Sequence, residues 1–236
     1  MKYICTLFLL VFFNNLFVYS QKGKGFTIKD GLVLCYLFNG NSLDISGNNN
    51  NGIVKGAMLA NDRNNKSNSA YYFSAGSNIL IDNTSSLTIA KNFTFSVWFN
   101  SEKVNDGQTI IAKSGDRTGI ELKVAGNEIQ INDGHCCPVP YTLKVGEYKL
   151  NKWYHVLFSF DGKYLKVYLN GKLVIKISDL EFDLNYKMAD EPIRIGIGQA
   201  GKYYPFYGYI DDVYVWNRDL SDVEIKTFCK MQLKNK

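Results

Sequence analysis

The chain has 236 residues, 27 Lys and Arg against 22 Asp and Glu, and only two His, for a formal net charge of +5. That length suits one all-β domain and is tight for two. The cations are scattered among the carboxylates without a basic block, which excludes a nucleic-acid partner, while the mild basicity suits an anionic polysaccharide or a cell surface.

The first segment reads as a leader. Lys2 supplies a positive start, Ile4 to Phe13 is an almost unbroken apolar run, and Val18-Tyr-Ser20 offers small residues where a signal peptidase reads. The run is broken by Asn14 and Asn15 and is shorter than the roughly 20 residues a membrane span needs. Cys5 precedes the run, which argues against a lipoprotein. The expectation is a signal peptide at 1–20, cleavage before Gln21, secretion, and no transmembrane segment in the mature chain. A linker at 21–30, one domain at 31–230 and a tail at 231–236 follow.

Strands with turn punctuation fill most of the domain. Leu32 to Phe38 is an apolar run between Gly31 and Gly40, Phe93-Thr-Phe-Ser-Val-Trp-Phe99 alternates apolar and polar, and Trp153 to Phe160 is largely apolar. Trp98 and Trp153 are candidate core residues. Gly126-Asn127 joins Ile120 to Ala125 with Glu128 to Asn132. Asp161-Gly162 and Asn170-Gly171 are of the type that closes two-residue hairpins, so Tyr164 to Leu169 and Lys172 to Ser178 extend a meander. Pro192 to Gly198 is one more strand. Ile210 to Trp216 is the last, and Ser221 with Glu224 has capping-box spacing for a short helix over Asp222 to Lys230, an appendage to the strands. About a dozen strands without an earlier amphipathic helix predict two stacked antiparallel sheets, the first strand beside the last.

Four cysteines remain after the leader: Cys35, Cys136, Cys137 and Cys229, which allow three pairings in an oxidising compartment. Cys35 with Cys229 is the expected bond, because a sandwich brings its ends together. Cys136 and Cys137 would then be a vicinal disulfide or free thiols. His135-Cys136-Cys137 lacks further ligands at zinc spacing.

From Gly31 to Cys229 the chain resembles the laminin G-like jelly-roll domains of the concanavalin A-like lectin and glucanase superfamily. The resemblance is carried by Leu34-Cys-Tyr-Leu-Phe-Asn-Gly-Asn41, Asp44-Ile-Ser-Gly-Asn-Asn-Asn-Asn-Gly52, Ser69-Ala-Tyr-Tyr-Phe73 and Phe93-Thr-Phe-Ser-Val-Trp98. Gln108 to Lys113, Trp153-Tyr-His-Val156, Val167-Tyr-Leu-Asn-Gly171, Ile193-Arg-Ile-Gly196 and Gly208-Tyr-Ile-Asp-Asp-Val213 continue it in order. It implies an all-β, two-sheet antiparallel jelly-roll sandwich with a short C-terminal helix. The fold hosts lectins, adhesion modules and glycosidases alike, so function has to come from the residues.

Hydrolysis finds little support. Glu181 and Asp183 share a strand face, but Asn185 stands where a third carboxylate is expected, and adjacent Asp211 and Asp212 point to opposite faces unless a bulge intervenes. His155 lies in an apolar strand and reads as a core residue. The expectation is therefore a non-enzyme. Asp44 and Asn48 to Asn51 supply oxygen ligands in a turn-rich loop that the resemblance implies lies near Asp211 on the last strand, a set that suits a structural calcium, with Asx turns as the alternative use of Asp44 and the asparagines. Tyr203 and Tyr204 in one loop, and His135 to Tyr141 in another, are candidate sugar contacts, although the tyrosines would equally cover a sheet edge. Asn65, Asn83 and Asn92 begin Asn-x-Ser/Thr triplets. The function expected is a secreted, non-catalytic module for a polysaccharide or glycoconjugate; the alternative is a protein-interaction or adhesion module for a cell-surface protein, with a glycoside hydrolase behind both.

Overall fold

The computed structural model describes residues 28–89, 91–115, 119–132, 142–178, 190–198, 201 and 203–234. Its early strands are β1 (Leu32–Tyr36), β2 (Ile53–Lys55), β3 (Met58–Ala60), β4 (Ala70–Phe73) and β5 (Asn78–Ile81). The middle of the chain forms β6 (Phe93–Ser101), β7 (Gln108–Ser114), β8 (Gly119–Ala125), β9 (Glu128–Asn132) and β10 (Thr142–Glu147). Then come β11 (Trp153–Phe160), β12 (Tyr164–Leu169), β13 (Lys172–Ser178), β14 (Ile193–Ile195), β15 (Gly208–Trp216) and the helix α1 (Asp222–Lys234). Short strands such as β2, β3 and β5 carry too few residues for a clear alternation, and they make the total exceed the expected dozen.

Two antiparallel sheets result. One runs β13-β12-β11-β6-β15-β4-β3 with β1 also beside β15, and the other runs β10-β9-β8-β7-β14-β5-β2. The strand β15 holds the first sheet together. Its whole length pairs with β6, while its other edge is shared end to end: Gly208 to Ile210 pair with β4, and Val213 to Trp216 pair with β1. The first and last strands are neighbours, as the sequence led one to expect.

Between the sheets lies an aromatic core. On β6 the alternation sends Phe93, Phe95, Val97 and Phe99 inward to meet Val156 and Phe158 of β11 and Ile120, Leu122 and Val124 of β8. Phe95 and Phe158 stack at 5.1 Å. The other face of β6 carries Thr94, Ser96 and Trp98, all buried as well. What buries them is α1, which is a cover rather than an appendage. Leu220, Ile225, Phe228 and Cys229 join Leu32, Cys35, Leu157, Tyr168, Tyr214 and Trp216 in a second apolar cluster. Trp98 Nε1 donates to Gln232 Oε1 at 3.0 Å, so the helix is needed one turn beyond Lys230. Its N-terminus is the expected capping box: Ser221 N donates to Glu224 Oε2 at 2.8 Å, and Glu224 N donates to Ser221 Oγ at 3.3 Å.

Three local expectations change. Asn170 and Gly171 form the two-residue turn, with φ of 49° and 76°, but the Asp161 turn spans three residues because Asp161 Oδ1 accepts from the N–H groups of both Lys163 and Tyr164. The strand expected over Pro192 to Gly198 shortens to β14, since Gly196 takes a φ of 85° against the Phe73 ring. Trp98 is fully buried, whereas Trp153 is half-buried.

The expected disulfide is absent: Cys35 and Cys229 are both buried free thiols. Cys35 sits on β1, and Cys229 packs by Gly171 at the β12–β13 turn. With strands spaced about 4.8 Å apart, β12 and β1 are separated by β11, β6 and β15, on the order of 19 Å. Bringing the chain ends to the same sheet does not bring them to the same strand.

Candidate functional site

Asp211 and Asp212 lie where β15 passes from one partner to the other. The register against β6 slips between Asp211 and Tyr214, and Asp212 adopts a φ of 47°, so the two neighbouring carboxylates turn the same way. Arg63 takes both, with Nη1 at 2.6 Å from Asp211 Oδ2 and Nη2 at 2.8 Å from Asp212 Oδ2. The Trp98 ring lies 4.6 Å from the guanidinium carbon. Burial, and for Asp211 the neighbouring Asp212, raise both carboxyl pKa values against the pull of Arg63. On Arg63 burial opposes the charge, but Asp212 and Asp211 outweigh it and raise its pKa. Nearby His155 Nε2 is 2.8 Å from Ser96 Oγ, and burial followed by the Arg63 charge lowers its pKa to about 3. A neutral histidine sealed beneath a helix belongs to the packing, as its apolar strand suggested.

The expected calcium ligands do not assemble. Asp44 Oδ1 accepts from the N–H groups of Cys35 and Ser46, each at 2.9 Å, and Oδ2 accepts from Ser46 Oγ at 2.8 Å and Asn50 N at 3.0 Å. Asn48 Nδ2 donates to Leu32 O at 3.0 Å, tying the turn to β1. Asp211 has the Arg63 guanidinium where a cation would stand. No group of three or more His, Cys, Asp or Glu forms a metal cluster among the described residues. The donor set does not fit calcium; the Asx-turn alternative describes Asp44 and its asparagines.

The outward face of the seven-stranded sheet is different. Its pairing places Leu80, Arg194, Ala112, Glu121, Asn132 and Thr142 in one row across β5, β14, β7, β8, β9 and β10. Thr109, Lys123, Gln130 and Lys144 make the next row. Polar side chains at the centre are buried. Glu121 accepts from Ser114 Oγ at 2.6 Å and from Thr109 Oγ1 at 3.4 Å. Lys123 is 8% exposed, with its ammonium 3.8 Å from the centre of the Tyr204 ring. Burial lowers its pKa, and Glu121 acts against that shift. Asn132 Nδ2 donates to Thr142 Oγ1 at 3.2 Å, while its Oδ1 is buried without a hydrogen-bond partner.

Tyr203 and Tyr204 stand at the margin of this face, 55% and 42% exposed, their ring centres 6.4 Å apart. Thr109 N donates to Tyr204 O at 2.8 Å, and Gly198 N to Tyr203 O at 2.9 Å, so the backbone ties Tyr204 to β7 and Tyr203 to the segment that follows β14. Gly107 is required there: a Cβ would lie 2.8 Å from the Tyr204 ring. Lys103 lies 4.0 Å from the Tyr207 ring in a second cation–π pair. Along the same face a cavity of about 260 Å³ is lined by Lys55, Asn78, Asp82 and Arg194. Of the expected sugar contacts, Tyr203 and Tyr204 are thus together. His135, Tyr141, Cys136, Cys137, Glu181, Asp183 and the leader lie outside the described residues. Sequence reasoning missed Glu121, Lys123 and Asn132, although the strict alternation of Ile120-Glu-Leu-Lys-Val124 and Glu128-Ile-Gln-Ile-Asn132 marks one polar face.

A laminin G-like family model, described as the concanavalin A-like lectin/glucanases superfamily, matches residues 73–226. The chain belongs to this superfamily. Solved structures agree on its jelly-roll sandwich. The binding domain of botulinum neurotoxin serotype D shares 22% identity at a TM-score of 0.68, over 87% of this chain and 53% of that one. The binding domain of Paraclostridial Mosquitocidal Protein 1 shares 18% at 0.68, over 86% and 53%. The binding domain of botulinum neurotoxin DC, solved with rat synaptotagmin II, shares 17% at 0.66, over 87% and 52%. The chain thus spans about half the length of these structures, and at such identities the likeness establishes the fold. No curated protein matches the chain.

Proposed function

We propose that the protein is a secreted, non-catalytic module that binds carbohydrate on the outward face of its seven-stranded sheet. The observation that carries this reading is the pair Tyr203 and Tyr204, half-exposed rings fixed beside rows of polar side chains. Sugar recognition needs that combination, an aromatic surface for the C–H face and polar groups for the hydroxyls. A retaining glycosidase needs two carboxylates about 5 Å apart, but Glu121 faces the amide of Asn132 across the ladder. The absence of a fitting donor set makes glycan retention independent of calcium. Binding to a glycan array, unchanged by EDTA and weakened tenfold or more by Tyr203→Ala, would support this reading, with no reducing ends released from the bound polymer. An array without hits, or hydrolysis abolished by Glu121→Gln or Glu181→Gln, would overturn it.

A protein-interaction role has its own support. Ile53 and Val54 on β2 and Met58 and Leu59 on β3 are exposed apolar residues at adjoining sheet edges. Capture of a protein partner that is lost in Met58→Glu and untouched by Tyr203→Ala would favour that role over the glycan reading.

A further inference from the structure

The helix α1 covers only part of the outward face of the eight-stranded sheet. One row beyond Trp98, the register sets Trp153 of β11, Asn100 of β6, Tyr209 of β15, Tyr72 of β4 and Met58 of β3 side by side. Trp153, Tyr209 and Tyr72 are half-buried and belong to neither apolar cluster. Their rings follow one another, Trp153 to Tyr209 at 6.2 Å and Tyr209 to Tyr72 at 5.1 Å. Trp153 and Tyr209 lie opposite Asn100 from its two sides and lean together across it; its Oδ1 is buried, so a ligand on this row meets rings and not that oxygen. Open polar groups flank the rings. Trp153 Nε1 donates to no described residue and remains open to solvent. Glu102, two residues beyond Asn100 and so on the same face, stands by the hydroxyls of Tyr72 and Tyr209; burial first, and then its charge, raise the pKa of both. The Glu102 carboxylate makes no ion pair among the described residues and is likewise open.

We propose that this row is a second saccharide platform, which holds a neutral oligosaccharide with its C–H faces on Trp153, Tyr209 and Tyr72, one hydroxyl oxygen accepting from Trp153 Nε1 and another hydroxyl donating to Glu102. It goes beyond the glycan reading, which concerns the other sheet. Rings that succeed one another across the strands suit an extended ligand, whereas a quaternary ammonium needs rings that converge on one point. The Glu102 carboxylate selects against acidic sugars by setting a like charge beside them. Trp153, Tyr209 and Tyr72 stand on paired strands, so their positions are fixed before the ligand arrives.

Tryptophan fluorescence tests this, because Trp98 and Trp216 are fully buried and Trp153 is the indole that a ligand on the surface can reach. The protein is titrated with cellohexaose, laminarihexaose, mannohexaose and xylohexaose. At least one is expected to shift the emission to the blue and to shield it from acrylamide. The response should vanish in Trp153→Phe, weaken about tenfold in affinity in Tyr209→Ala, and persist in Tyr203→Ala. Glu102→Ala, a change at a half-buried surface position, should weaken it several-fold and carries the test if Tyr209→Ala does not fold. No response to any of these sugars, or one that survives Trp153→Phe, would overturn the inference and leave the glycan reading, which the array and Tyr203→Ala judge, standing. A response lost in Tyr203→Ala would return the ligand to the seven-stranded sheet and overturn the second platform. A response to tetramethylammonium chloride and to none of the sugars would make the row a cation site and overturn it as well.

Discussion

On the eight-stranded sheet the outward face is covered where Trp98, Tyr214 and Trp216 lie dry beneath α1; the seven-stranded sheet turns Glu121, Lys123 and Asn132 outward between Tyr204 and the sheet margin. The two faces are built from the same alternation. They differ in what covers them. Under α1 many polar groups are paired, Trp98 to Gln232, Thr94 to Ser159 and Asp211 and Asp212 to Arg63, while Arg63 Nε and His155 Nδ1 are buried without a partner. On the other face Glu121 takes the Ser114 and Thr109 hydroxyls, the Lys123 ammonium lies against the Tyr204 ring, and Asn132 Oδ1 is buried without a partner. Each face thus carries both paired and unpaired polar groups, and the difference lies in the cover: a helix with an apolar face on one side, tyrosine rings at the sheet margin on the other.

The difference can be broken by mutation, and the closed face should respond most. Trp98→Ala removes a buried indole and its bond to Gln232, and is expected to cost about 3–5 kcal/mol in urea unfolding. Arg63→Met leaves two buried carboxylates without their cation, an effect of similar size, about 3–5 kcal/mol. The triple change to Arg63→Met, Asp211→Asn and Asp212→Asn should recover much of that loss. Wild-type stability in the single variant would contradict the pairing.

Two pH experiments sharpen the contrast. His155 has a folded pKa near 3, lowered chiefly by burial and then by Arg63, against an ordinary 6.5. The unfolded chain takes up that proton first, so stability should fall as pH drops from 6.5 towards 3, by up to roughly 4 kcal/mol from this group. The slope difference between wild type and His155→Gln isolates it from the opposing carboxyls of Asp211 and Asp212. At the other margin Lys113 donates to Glu191 O and Asn83 Oδ1, and burial lowers its pKa from 10.5 to about 8, against Glu191 and Asp190. The folded form loses that proton first, so stability should rise above pH 8, by about 3 kcal/mol if followed to 10.5. Burial raises the Tyr36 pKa, and its ionisation in the unfolded chain reverses the gain above pH 10. Melting of Lys113→Met should lack the rise. Smallest of all, Tyr203→Ala should change stability by less than about 0.5 kcal/mol, because the ring is half-exposed; a large loss would place that ring in the structure's support rather than in its binding surface.

Much of the fold was legible because its signals are local. The alternation of Phe93 to Phe99, the Asn170-Gly171 turn and the Ser221–Glu224 cap each depend on a few neighbouring residues. What failed was non-local. Whether Cys35 meets Cys229 depends on strand order, which four cysteine positions do not encode. Whether Asp211 and Asp212 share a face depends on a slip at a change of partner strands, and the Arg63 that profits from it lies 148 residues away from Asp211. The site was half legible. Tyr203 and Tyr204 announced themselves as an aromatic loop, while Lys123 and Asn132 looked like ordinary solvent-facing positions and became informative only once their burial was known.

The pairing of β1 with β15 sets a schedule for folding. Leu32 is opposite Trp216, so a strand synthesised near the start of the domain has no permanent neighbour until almost the whole chain exists. During synthesis at about 5–20 residues per second, β1 would wait for roughly 10–40 seconds with its apolar residues unpaired. Such distant pairings also slow refolding, because the loop must close before its contacts compensate. A chain that ended before β15 would deprive β1, β4 and β6 of a common partner at once, leaving three open edges ready for the wrong strand.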